Sequence, residues 1–296
     1  MPNNQKHIII QPDGTAINLR DLQKISLEIL DYFDAFCNAN NLKYTLCGGA
    51  CIGALRHEGF IPWDDDIDIH MFRDDYERLF TLWKNYPHTK NYNFIRTTKD
   101  KFCDTMLTQI SDIKTTFIKS NQTHLNIDHG VKLEIIPLDG APEGKVKRNI
   151  QLFWALIFYL FNRGFAPKNR GKFAEIIGDI LLKLIKSQKS RSKIWTFAQQ
   201  KMTKYKIENS SHLTELCVTW KYMKLRYPKE IFEGERRVSF EGRMLPIPMK
   251  AEEYLETAFG NYLELPPLEE QVPKHETAYI DLNNSYKKYK GTYYCK

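Results

Sequence analysis

The stretch GFIPWDDDIDIHM, residues 59–71, places four aspartates in five positions and then turns apolar. Side chains of a β-strand alternate between its faces, so Asp66 and Asp68 share one face while Ile67 and Ile69 share the other. A strand laid with its isoleucines on a core and its acids outward satisfies both sets. Asp64 has the same parity, but Asp65 would then fall on the apolar side, so the strand is expected to begin near Asp66 with the earlier acids in its approach loop. Two carboxylates about 4 Å apart repel by about 1 kcal/mol in water and about 4 kcal/mol at an effective dielectric of 20. A divalent cation removes that cost, and Mg²⁺ or Mn²⁺ prefers oxygen ligands of this kind. Counted from Asp64 as an EF-hand loop, the sixth and twelfth positions are Ile69 and Asp75 in place of glycine and glutamate, which excludes that type of calcium site.

The flanking motifs fit phosphate chemistry. KYTLCGG reads as a short strand entering a glycine turn and ACIGALRHEG as a short helix leaving it. At such a turn the backbone N–H groups near Gly48 and Gly49 can hold a phosphate. Arg56 and His57 follow as candidate phosphate contacts, with a surface pair at a helix end as the alternative. Downstream, VKLEIIPLD sets Glu134 between Leu133 and Ile135 on a strand read as buried, where a carboxylate needs a partner. A metal would supply one. Asp139 competes for the third acid, although a turn role suits it better.

The remaining pattern organises the chain. Leu22, Ile25, Ile29, Phe33 and Phe36 recur at helical spacing, and NANN closes that helix with turn formers. Asp74 or Asp75 is placed to cap a helix through YERLFTLW, and YNFIRTT and TMLTQISDIKTTFI read as short strands. DGAPEG then breaks the pattern near residue 140. A helical, basic stretch follows, in which LFWALIFYLF is about half the roughly 20 residues of a membrane span and is therefore a buried core helix or an interfacial one. Phe173, Ile176, Ile177, Ile180, Leu181, Leu184 and Ile185 form an apolar stripe beyond it. RRVSFEGRMLPIP reads as a hairpin and AEEYLETAF as a short helix, too small for a core of their own and expected to pack back on the first stretch. The expectation is an α/β (α+β) fold in which residues 1–140 form the catalytic core, 141–235 an inserted helical region and 236–296 a returning segment.

Composition excludes several classes. With 296 residues, 42% hydrophobic and 27% charged, the sequence is that of an ordinary globular protein and argues against disorder. The first residues lack the apolar run of a signal peptide, and the six cysteines lack CxxC spacing, which together point to a cytoplasmic protein with reduced thiols. The net charge of +7 is concentrated in KVKRN, PKNRGK and KSQKSRSK, so an anionic partner or a solvated helical face is expected there. With the neighbouring lysines, the apolar stripe also suits peripheral contact with an anionic membrane; burial in a core explains it equally. Four clustered acids disfavour a nucleic-acid backbone at the cleft, and no nucleic-acid partner is expected.

GGACIGALRHEGFIPWDDDIDIHMFRDDYERL, LEIIPLDG and FEGRMLPIPMKAEEYLETAFGNYLELPP, in that order, resemble successive signatures of the LicD family, relatives of the fukutin proteins within the nucleotidyltransferase superfamily. Ala50 stands where the family usually has a hydroxyl residue, and His70 where it has a small one. The resemblance implies a nucleotidyltransferase-like core and a divalent metal. It also implies transfer of phosphocholine from CDP-choline, with release of CMP, to a hydroxyl of a surface glycan such as teichoic acid, lipooligosaccharide or a glycolipid, which can be lipid-linked. Metal positions carry over to Asp66 and Asp68, with Asp64 matching the first acid and Glu134 the later one; Glu134 joins the metal or accepts the acceptor's proton. Transfer of another phosphoalcohol from a CDP-alcohol, nucleotidyl transfer to a small hydroxylated substrate, and a non-catalytic binding protein are the other readings.

Overall fold

The computed structural model describes residues 7–86, 91–165 and 172–296, the first four of the last segment by their backbone alone. In chain order the elements are β1 (Ile8–Ile10), β2 (Ala16–Asn18), α1 (Leu19–Ala39), β3 (Thr45–Leu46), α2 (Gly48–His57), β4 (Ile67–Phe72), α3 (Arg73–Asn85), β5 (Tyr92–Ile95), β6 (Thr108–Asp112), β7 (Thr116–Lys119) and β8 (Val131–Ala141). There follow α4 (Lys145–Arg163), α5 (Lys172–Leu184), α6 (Gln188–Met202), β9 (His212–Glu215), α7 (Trp220–Met223), β10 (Tyr227–Pro228), β11 (Glu235–Phe240), β12 (Arg243–Pro248), α8 (Ala251–Phe259) and β13 (Thr277–Asp281). Helices and mixed sheets make this the expected α/β class.

Two compact units are built from interleaved segments. The first comprises Met1–Ile95, Gln109–Ile135 and Gly234–Lys296. Its α1 starts at Asn18, whose side chain accepts from the Arg20 N–H at 3.0 Å, a cap worth about 1 kcal/mol. Leu22, Ile29, Phe33 and Phe36 then fall on the buried side, and the Phe36 ring packs 5.0 Å from Trp83 of α3. Strand β4 pairs antiparallel with β3, setting Leu46 opposite Ile69, and is hydrogen-bonded to β8 on its other side. The returning segment belongs to this unit: Glu241, in the turn between β11 and β12, makes an ion pair with Arg20, and the Glu241 N–H donates to the Glu58 carbonyl at 2.8 Å. Strand β13 pairs with β7 and shifts register between Thr277 and Tyr279.

The second unit comprises Arg96–Thr108 and Ile136–Glu233. Leu152, Ala155 and Phe158 of α4 pack with Leu182 of α5 and with Trp195, Ala198 and Met202 of α6 in its core. A polar plug crosses it. The buried Arg148 donates to Gln151 Oε1 at 2.6 Å, to Thr214 Oγ1 at 2.8 Å and to the Met223 carbonyl. Gln151 Nε2 in turn donates to the carbonyls of Gly140 and Met202 at 2.8 and 2.9 Å. LFWALIFYLF is apolar all round, yet α4, which contains it, is buried on one side and leaves Phe153 exposed, as it does Val146 and Ile150 nearer its start. Of the expected stripe on α5, Leu181 and Ile185 pack on the core while Ile176, Ile177, Ile180 and Leu184 are exposed; the Phe173 side chain lies outside the described residues.

Two local readings are corrected. Asp74 and Asp75 do not cap α3, which begins earlier with Phe72 at the cap position; the acids occupy its first turn, where their charge is favourable to the positive end of the helix dipole. Asp75 is also engaged by the Lys43 N–H at 3.1 Å and by Arg78 at 2.6 Å. The expected turn at Asp139 is strand instead, because β8 continues to Ala141 by pairing Asp139 with Thr214 and Gly140 with Leu213 of β9. Pairing overrides the local preference of Asp-Gly for a turn. Strand β4 begins at Ile67, next to Asp66 as expected, with the earlier acids in its approach loop.

Candidate active site

The acids come together through β4 and the loop before it. Ile67 and Ile69 are fully buried, and the alternate Asp68 is half-buried, as the parity of the stretch requires. Asp64 and Asp65 are both buried in the approach loop, whose course is held by Gln23 Nε2 donating to the Asp64 carbonyl at 2.9 Å. Their position explains the glycine pair. Gly48 has φ +53°, a left-handed conformation that suits glycine, and its N–H donates to Tyr254 Oη at 3.1 Å. A Cβ at Gly49 would collide with Asp64 Oδ2, and one at Gly48 would stand 3.8 Å from Asp68 Oδ2. The turn is thus bare of side chains where the carboxylates lie against it, at the N-terminal end of α2.

The acids disturb one another. Burial, followed by the Asp66 and Asp65 carboxylates, pushes Asp64 up to about 7. Burial also raises Asp68 well above the usual range, helped by Asp66, Glu134 and Asp64 and opposed by Lys119. Asp66 is raised chiefly by burial, against the pull of His275. Asp68 Oδ1 is buried and has no hydrogen-bond partner among the described residues.

A cleft with about 400 Å³ of space, open to solvent, is lined by Asp65, Asp66, Lys119, Lys132, Glu134 and His275 together with Phe117, Gln122, Gly130 and Val131. Glu134 reaches it because β8 buries Leu133 and Ile135 on the opposite face. The carboxylate has protein partners, accepting from Gln109 Nε2 at 2.8 Å and lying 4.0 Å from Lys119 Nζ. The backbone N–H of His275 donates to Asp65 Oδ2 at 3.3 Å, and the ring Nδ1 lies 2.9 Å from Asp65 Oδ1 and 3.7 Å from Asp66 Oδ2. Burial lowers the imidazole and the Asp65 bond with the Asp66 charge more than offsets it, so its pKa is raised. Asp65, Asp66 and His275 offer ligand atoms within 4.8 Å of one another, a set that does not include Asp64, Asp68 or Glu134.

Arg56 and His57 lie elsewhere. They end α2, about 14 Å along the helix from Gly48, and do not line the cleft. Arg56 donates to His57 Nε2 at 2.9 Å and to the Tyr262 carbonyl at 2.7 Å, tying down the chain after α8. Sequence reasoning missed Lys119, Lys132 and His275, and it gave Asp65 no role. No local pattern marks these residues, since the antiparallel pairing of β13 with β7 is what carries the residues just before β13 back to the first unit's acids.

A cleft of oxygen donors and lysines on an α/β scaffold can hold a divalent cation and the oxyanions that pair with it. Its core sequence is that of a known class: residues 41–132 match the family described as LicD/FKTN/FKRP, nucleotidyltransferase domain. The lipopolysaccharide cholinephosphotransferase LicD of Haemophilus influenzae is 34% identical over 271 residues, which is 89% of this chain and 98% of that protein. Uncharacterized proteins of Rickettsia typhi and Rickettsia prowazekii are each 32% identical, over 83 and 80 residues, covering about a quarter of either partner. The chain belongs to the LicD family. Among the described residues, no helix is long and apolar enough to cross a membrane.

Proposed function

We propose that the protein transfers phosphocholine from CDP-choline to a hydroxyl of a surface glycan such as lipopolysaccharide, releasing CMP. The observation that carries the reading is that Asp64 and Asp68 lie against the Gly48–Gly49 turn while Asp66, between them in sequence, lines a cleft with Glu134 and Lys119. A divalent cation fits these residues: the donors are hard oxygens, they raise one another's pKa, and Asp68 Oδ1 is buried with no hydrogen-bond partner among the described residues. Asp66 and Asp68 would hold Mg²⁺ or Mn²⁺, with Asp64 and Glu134 as the further candidate ligands. When bound, the cation neutralises charge on the donor pyrophosphate.

The chain's own residues do the rest. Lys119 and Lys132, on the cleft wall, bind phosphate oxygens. The acceptor oxygen attacks the phosphorus that bears choline, and the bond to the bridging oxygen breaks in line as CMP departs. His275, held by Asp65 through Nδ1, presents Nε2 to take the acceptor hydroxyl's proton. This role suits His275 better than Glu134, whose carboxylate is committed to Gln109. The acceptor is lipid-linked, and the protein works in the cytoplasm at the inner face of the membrane.

Following CMP release across CDP-choline, CDP-ethanolamine, CDP-glycerol and CDP-ribitol tests the proposal. CDP-choline is expected to be used best, because a quaternary ammonium on an aromatic face gains about 0.5–2 kcal/mol, or roughly three- to thirtyfold, over a neutral alcohol. Equal or better use of CDP-glycerol or CDP-ribitol overturns the choline assignment, and a product carrying the nucleotide overturns phosphoalcohol transfer altogether.

A further inference from the structure

The second unit presents apolar surface that its own core does not use. On a helical wheel, Ile176, Ile177, Ile180 and Leu184 of α5 fall within an arc of about 100°, next to the arc of similar width through which Leu181, Leu182 and Ile185 meet the core. The outer residues are well exposed: Ile176 by 55%, Ile180 by 50% and Leu184 by 74%. A helix apolar over both arcs, with only one covered among the described residues, has a face left for a second apolar phase. The same unit exposes Val146, Ile150 and Phe153 at i, i+4 and i+7 of α4.

Charge selects the occupant. Between Lys145 and Lys206 the sequence holds fifteen lysines and arginines and two acids, a net +13 in a chain whose total is +7. Lys183 and Lys186 stand exposed at the end of α5, and Lys189 and Lys193 on α6; the one acid on these helices whose side chain is described is the exposed Asp179. Two copies of so positive a surface repel, and a nucleic acid has no use for an isoleucine stripe. We propose that the exposed face of α5, with the basic residues around it, is a docking surface for an anionic lipid bilayer, the helix lying in the headgroup plane with its isoleucines and Leu184 among the acyl chains. The inference rests on this surface alone and holds whichever phosphoalcohol is transferred.

Flotation of the full chain with phosphatidylglycerol–phosphatidylcholine vesicles, and with phosphatidylcholine vesicles alone, tests it. At low ionic strength the protein is expected to float with the anionic vesicles and at least tenfold more weakly with the neutral ones. The Ile180→Gln/Leu184→Gln variant changes only exposed side chains and should keep its unfolding midpoint while losing vesicle affinity at least about tenfold. Lys183→Glu/Lys186→Glu should weaken anionic binding by about fivefold per charge and leave neutral binding unchanged. Absence of flotation at low salt, or flotation that neither variant weakens, overturns the proposal. So does a dimer in sedimentation that Ile180→Gln/Leu184→Gln dissolves, or tight RNA binding without vesicle binding.

Discussion

Replacing Asp64 by asparagine should make the metal-free protein more stable at neutral pH and flatten its response to acid. Asp64 has an ordinary carboxyl value of 3.8 when unfolded and is pushed up to about 7 when folded, by burial and by Asp66 and Asp65. A pKa raised in the folded state contributes stability that is fully present below the unfolded value and is lost as pH rises through the folded one. In EDTA the wild-type protein should therefore lose stability between about pH 4 and pH 7, by up to about 4 kcal/mol for three pH units. Asp66 and Asp68 are shifted the same way and add to the fall, whereas His57 and His129, both lowered by burial, act in the opposite sense nearer neutrality. The difference between wild type and Asp64→Asn removes these shared contributions. Urea unfolding of both proteins at pH 5 and pH 7.5, with EDTA and at constant ionic strength, measures it. The variant should gain on the wild type by about 1–4 kcal/mol between the two pH values, and Mn²⁺ should restore the wild type at pH 7.5 more than the variant. Parallel pH dependences, or a wild type that gains stability towards pH 7.5 relative to the variant, would refute the claim that these acids are held together against their own repulsion.

Other perturbations follow from the same geometry. Asp66→Asn and Asp68→Asn should each abolish CMP release while leaving the circular dichroism spectrum intact; near-normal turnover of either at saturating metal would remove it from the site. Gly49→Ala drives a methyl into Asp64 Oδ2, so CMP release should fall about 100-fold without global unfolding, as expected when a ligand is displaced by about 1 Å. His275→Gln should lower kcat with little change in donor KM and remove the acidic limb of the pH–rate profile; an unchanged profile assigns proton transfer elsewhere. Arg148→Met removes the donor to Gln151 Oε1, Thr214 Oγ1 and the Met223 carbonyl in a buried network, and should cost about 2–4 kcal/mol in urea unfolding.

Much of this arrangement is written locally. The period of Leu22 to Phe36, the alternation around Asp66 to Ile69, the glycine turn and the hairpin before α8 each use a pattern whose repeat matches one element, and the structure shows those elements. The limits of local reading show at Asp139, where an Asp-Gly pair that favours turns is held in β8 by its partners on β9. They show again on α5, because periodicity reports that residues share a face and not what covers it. The candidate site divides in the same way. Its four aspartates fall within five residues and Glu134 stands out as an acid on a buried strand, whereas Lys119 and His275 arrive by strand pairing, which leaves no short-range trace.

His275 meets Asp65 across 210 residues of sequence. During synthesis the acids and the glycine turn leave the ribosome early, and the imidazole that faces them follows about 10–40 s later at ordinary elongation rates. For that interval the nascent chain carries its mutually repelling carboxylates without the histidine, the β13–β7 pairing or α8, whose Tyr254 receives the Gly48 N–H. The first unit's site is therefore assembled last, and a chain stopped short of residue 275 would retain every acid of the motif and still lack the wall that His275 supplies.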